Sequence, residues 1–140
     1  MATIQNFTEL RCWQEARLIA KDVYLLAQSG LFGKDYGLRD QVQRAVVSIG
    51  SNIAEGFERG SNAELVKFLS YAKGSAGEVM SQLYTAFDVG YISQEDLDGM
   101  VTRLKNVGAI IARFQAAVRH SNVRGLMYKS SQTEVTGKSF

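Results

Sequence analysis

The sequence has no proline, one cysteine and one histidine in 140 residues. Without proline, no ring clashes with a preceding carbonyl and no backbone donor is missing, so long helices are permitted throughout. Cys12 has no second thiol, which excludes an intramolecular disulfide, and a chain of this length can bury a working core without one. Because His120 stands alone, there is no Glu-x-x-His pair for a di-iron bundle and no partner to orient a Ser–His or Cys–His couple. A zinc site would need paired cysteines. Neither enzymatic chemistry nor a cofactor, metal or small-molecule substrate is expected. Gly137-Lys138-Ser139 looks like the end of a phosphate loop, but Gln132 stands where that loop needs its first glycine.

Long apolar runs are missing too. The longest, residues 107–112, is far short of a bilayer span, and the start of the chain lacks a basic segment followed by an apolar one. Neither membrane insertion nor export is expected, and a reducing cytoplasm fits. Charge of one sign is scarce: the net value is +2, and Arg124, Lys129 and Lys138 against Glu134 supply all of it. Residues 1–120 therefore balance, unlike a strongly basic nucleic-acid module.

What is present is helical period. Apolar residues recur at spacings of three and four in four segments, and no useful stretch alternates with period two. The spacing predicts helices at about 9–29, 38–57, 62–89 and 94–119, followed by a flexible polar tail over 121–140. The first helix should start after Thr8 as N-cap and turn Leu10, Trp13, Ala16, Ala20, Val23 and Ala27 inward, widened by Cys12, Ile19 and Leu26. Cys12 then reads as core filler. Gly30, Gly60 and Gly90 mark helix ends, residues 30–37 form a glycine-rich linker, and Ser93 caps the last helix. Short connections between long helices predict an all-α fold, an antiparallel up-down-up-down four-helix bundle.

The second helix carries a polar stripe beside its apolar face: Gln41, Arg44, Ser48, Asn52, Glu55 and Arg59. Tyr71, Ser75, Glu78, Gln82 and Thr85 answer it on the third helix. Antiparallel register puts Arg44 opposite Ala76, within reach of Ser75 or Glu78. The stripe is either a polar groove for a ligand or a seam, between helices or between subunits, whose donors and acceptors satisfy one another; their complementarity favours the seam. Glu55 and Glu78 are then expected to pair with Arg44 or Arg59. Gly50, Gly56, Gly74 and Gly77 lie inside these two helices, where each costs up to ~1 kcal/mol relative to alanine, which predicts backbones in close contact.

The stretch Ser48-Ile49-Gly50-Ser51-Asn52-Ile53-Ala54-Glu55-Gly56, with Arg59 and Ser61, resembles the signature of the bacterial four-helix-bundle proteins encoded in intervening sequences of 23S ribosomal RNA genes. Phe7, Leu10, Trp13 and Gln14 resemble that family's opening, Gly37-Leu38 and Gln41 its entry to the second helix, and Ala72-Lys73-Gly74-Ser75 with Glu78 its third-helix block. The likeness spans about residues 7–118. The fold is also similar to the accessory variability protein of diversity-generating retroelements, a basic pentameric ring that associates with nucleic acid and a reverse transcriptase. The resemblance implies a cytoplasmic homo-oligomeric ring, with a pentamer the best guess. Here Gly33-Lys34-Asp35 replaces the Pro and Glu often found between the first two helices, and the body is neutral.

In the last helix, Glu95, Asp96 and Asp98 precede Arg103, Lys105, Arg113 and Arg119, as macrodipole complementarity would have it. The cations do not form one stripe, and Trp13, Phe68 and Phe114 point inward, leaving no platform for stacked bases. The expected function is a non-enzymatic, homo-oligomeric scaffold or interaction module. The alternative is an RNA- or DNA-binding accessory protein whose ring gathers Arg103, Arg113, Arg119, Arg124 and Lys129 into one field.

Overall fold

The computed structural model describes residues 4–120, and among them it has five α-helices, one 3-10 turn and no strand. The long helices are α1 (Arg11–Ala27), α3 (Tyr36–Glu58), α4 (Asn62–Asp88) and α5 (Gln94–Arg119), and the short α2 is Gly30–Lys34. Consecutive long helices pack on one another, α1 on α3, α3 on α4 and α4 on α5, and α5 returns to α1. Their apolar faces share one core, in which Leu10, Ile19, Ile49, Ile53, Leu69, Leu83, Leu104, Ile111 and Phe114 are fully buried. The expected flexible tail, with Arg124 and Lys129, lies outside the described residues.

The beginning differs from the expectation. Thr8 is not the N-cap of the first helix. It lies inside a 3-10 turn, Phe7–Glu9, capped by Asn6 and Glu9 reciprocally. Thr8 N–H donates to Asn6 Oδ1 at 3.0 Å, and Asn6 N–H donates to Glu9 Oε2 at 2.9 Å. Leu10 then turns the chain into α1 with its side chain fully buried. Trp13, Ala20 and Leu26 are only partly buried, because they sit at the edge of the face that Cys12, Ala16, Ile19 and Val23 fill.

Residues 30–37 are not simply a linker. Phe32 is fully buried and stacks on Tyr91, ring centroids 5.6 Å apart, so its burial holds α2 in place despite the glycines at 30 and 33. Asp35 then caps α3 by accepting from Leu38 N–H at 3.1 Å. Gly30, Gly60 and Gly90 all have positive φ; Gly60 and Gly90 lie between helices, as expected, whereas Gly30 opens α2 and does not end α1, which stops at Ala27. Ser93 caps α5 by accepting from Asp96 N–H at 3.0 Å.

Candidate functional site

The polar stripe on α3 becomes a seam at two places. Ser48 Oγ donates to Ser75 Oγ at 2.8 Å, joining α3 to α4 in midspan. At the α3–α4 turn, Arg59 bridges Glu55 at 2.8 Å and Glu64 at 3.1 Å, and Lys67 reaches Glu64 at 2.9 Å. The hydrogen bond from Lys67, then that from Arg59, holds the Glu64 carboxyl below its usual range, and Glu55 and Glu64 hold the Arg59 guanidinium further up. Asn52 bonds within its own helix, to the Ser48 carbonyl at 2.9 Å.

Elsewhere the expected seam does not close. Glu55 has its partner in Arg59, but Arg44 and Glu78 form no ion pair among the described residues. Glu78 instead receives a 3.5 Å hydrogen bond from Gln82, one turn along α4. Arg44, Gln41, Ser48 and Glu78 line an open hollow of about 550 Å³ between α3 and α4. The reason is exposure: Gln41, Arg44 and Glu78 stand in solvent, where nothing forces a charged group to find a partner.

The glycine expectation divides as well. A Cβ on Gly56 would sit 2.7 Å from Phe68 Cβ, so α3 and α4 approach there as closely as glycine allows, and one on Gly50 would touch Trp13 at 3.5 Å. Around Gly74 and Gly77 a Cβ would meet nothing within 4 Å, so neither is needed for packing within the chain.

On α5, Arg103 Nη1 is bound to Asp22 Oδ2 at 2.7 Å, tying α5 to α1, so this cation is engaged inside the molecule. Arg113 and Arg119 are exposed and form no ion pair among the described residues. Of the aromatic residues expected to point inward, Phe68 and Phe114 are buried, while Trp13 keeps an open edge, with Phe7 against it at 5.2 Å and Arg17 5.7 Å from its ring centroid.

Three features escape the sequence reading. Gln115 is 7% exposed, and its amide donates to the Val66 carbonyl at 2.9 Å and to Ser70 Oγ at 2.6 Å, locking α5 to α4. Its spacing, four after Ile111 and three before Val118, is that of a core position, and only its polarity hides it. Tyr91 donates to Asp35 Oδ2 at 2.9 Å across 56 residues of chain. Leu38 N–H, then Tyr91 O–H, lower the Asp35 carboxyl below its usual range, and the same bond raises the Tyr91 hydroxyl.

The third is a surface. Along α1 and α3 run three adjoining open hollows, of about 520, 500 and 350 Å³. Trp13 and Arg17 are shared by two of them and Val47 and Ser51 by another two, so the hollows form one continuous face. Leu18, Tyr24 and Val47 on it are 53%, 40% and 46% exposed. Arg17, Lys21 and Arg44 stand on its rim, and its one acid, Asp40, is held by Arg39 at 2.9 Å.

Among the described residues no group of three or more His, Cys, Asp or Glu side chains could hold a metal ion, and no helix is long and apolar enough to cross a membrane. The fold and this surface define an all-α protein of four long helices with an uncovered, cation-rimmed apolar face. The model of the 23S rRNA-intervening sequence protein family matches residues 8–113, and the chain belongs to that family. Its fold is similar to a protein with unknown function from the S23 ribosomal protein family of Bacteroides thetaiotaomicron VPI-5482, with a TM-score of 0.66 and 20% identity over 71% of this chain and 94% of that one. No curated protein matches the chain.

Proposed function

We propose that this protein is a non-enzymatic cytoplasmic scaffold that works as a homo-oligomeric ring of up-down-up-down bundles, with five copies the first number to test. The uncovered face along α1 and α3 carries the reading. The chain already buries a complete core, yet it leaves Leu18, Tyr24 and Val47 in solvent on one continuous surface. Contiguous apolar exposure of this kind marks an interaction site. The up-down arrangement is supported by cross-helix pairs: Ser48 meets Ser75, and eight residues on, Gly56 meets Phe68, so α4 runs back along α3. Sedimentation equilibrium at micromolar concentration tests the reading; a multimer is expected, and a monomer overturns it.

A second reading, association with RNA or DNA, draws on Arg113 and Arg119, both exposed and unpaired among the described residues. Lysine and arginine contacts to phosphates release counterions, so such binding should fall steeply with salt and weaken in the double variant Arg113→Glu/Arg119→Glu. Absence of binding to a structured RNA at low salt overturns it.

A further inference from the structure

We infer that the face along α1 and α3 receives a particular surface of a second copy of this chain: the solvent side of α4's C-terminal half together with the start of α5. The inference rests on the self-assembly proposed above and adds which two surfaces meet.

Charge picks the occupant. The receiving face has Arg17, Lys21 and Arg44 on its rim, none in an ion pair among the described residues, and its lone acid is already neutralised by Arg39. An acidic, partly apolar surface is its complement. The chain has one such region: residues 74–102 contain no Lys, Arg or His and five acids, of which Glu78 lines a hollow with its own chain's Arg44, while Asp88, Glu95, Asp96 and Asp98 lie beyond it. Within it Tyr84 is 50% and Val89 56% exposed.

Geometry agrees. At ~100° per residue, Gly77, Ser81, Tyr84 and Asp88 fall within about 60° of one another, on a face of α4 where all four are exposed, turned away from the buried Val79 and Leu83. Gly77 and Ser81 keep the helix low beside Tyr84, so a neighbour's helices can come close to the backbone while the ring enters a hollow. This also gives a use to Gly77, which packs against nothing in its own chain although glycine costs a helix ~1 kcal/mol. The two surfaces are different parts of one molecule, so the contact is head-to-tail, and a head-to-tail contact closes into a ring when its rotation allows. Because opposite charges are brought together, salt should loosen the assembly.

The test uses the full chain in two charge-reversed forms, Arg17→Glu/Arg44→Glu on the receiving face and Asp88→Lys/Glu95→Lys on the inserted one. Each alone should lose assembly at a concentration where the parent is multimeric, with circular dichroism unchanged. Mixed in equal amounts they should bind each other, since each now offers the surface that the other needs. Because two alternating forms cannot close a ring of five, the readout is a mixed complex containing both forms rather than recovery of the parent's ring. Gly77→Leu is an uncharged check: it should raise the melting temperature of the isolated chain and still reduce assembly. If the parent is a monomer, the self-assembly reading fails and this inference with it. If the parent assembles and both reversed forms assemble equally well, or if both are monomeric and their mixture stays monomeric, the inference alone is overturned.

Discussion

The two ends of α3 are fastened in different ways. At its N-terminus, Asp35 accepts from Leu38 beside it and from Tyr91, 56 residues along the chain, and Tyr91 stacks on a fully buried Phe32. At its C-terminus, Arg59 ties Glu55 to Glu64 across a turn, in solvent, with its guanidinium 4.7 Å from the Phe68 ring centroid. The first fastening joins distant segments over a fully buried ring, with Asp35 and Tyr91 themselves half-buried. The second joins near neighbours and leaves them wet. Exposed ion pairs contribute little once screening and side-chain entropy are counted, whereas a buried aromatic removes a large apolar area from water. The number of charged contacts at a corner is therefore a poor guide to its strength.

That contrast can be broken from its strong side first. Phe32→Ala should cost ~3–5 kcal/mol, the usual range for emptying a buried aromatic site, measured by urea denaturation. A loss under 1 kcal/mol would mean that α2 is a passive connection. Gly56→Ala is next. Alanine gains up to ~1 kcal/mol of helix propensity, but its Cβ would sit 2.7 Å from Phe68 Cβ, and overpacking of this kind costs ~1–3 kcal/mol. The net change should be destabilising, and a stabilised variant would show that α3 and α4 can separate without cost.

Asp35→Asn sharpens the comparison through pH. The carboxyl is lowered in the folded chain by Leu38 and Tyr91, so its contribution is fully present above its ordinary value near 4 and is lost as pH falls through the lower folded value. Asparagine still caps a helix, so the variant should melt close to the parent at pH 7. In acid, its melting temperature should fall less steeply than the parent's. Identical acid limbs would remove Asp35 from the account. Arg59→Ala should have the smallest effect, a melting temperature nearly unchanged at physiological salt.

The same contrast governs how far the sequence is legible. Helix ends follow local chemistry: Gly60, Gly90 and Ser93 act where their residue types say they should, and the long helices lie within a few residues of the spacing's prediction. The α2 corner is not legible, because its glycines read as a turn and only packing of Phe32 against a ring on another segment makes it helical. Gln115 is hidden for a related reason, since a buried amide is acceptable only once Val66 and Ser70 are known to receive it. Of the polar stripe, Ser48 joins Ser75 across helices and Arg59 reaches Glu64 on α4 while pairing with Glu55 on its own helix, and Arg44 and Glu78 remain in solvent. Complementary residue types on facing helices establish that pairs are available, and exposure decides which of them form.

Cys12 gives the molecule a built-in clock. Its side chain is fully buried, and burial pushes the thiol up to about 12, so in the folded chain it has neither access to solvent nor appreciable thiolate. A thiol reagent can react only during excursions that open the core shared by α1 and its neighbours. As the chain holds one cysteine, the labelling curve has a single origin and needs no deconvolution. When closing outpaces the reagent, its rate reports the population of the open state, and when the reagent wins it reports the opening rate itself.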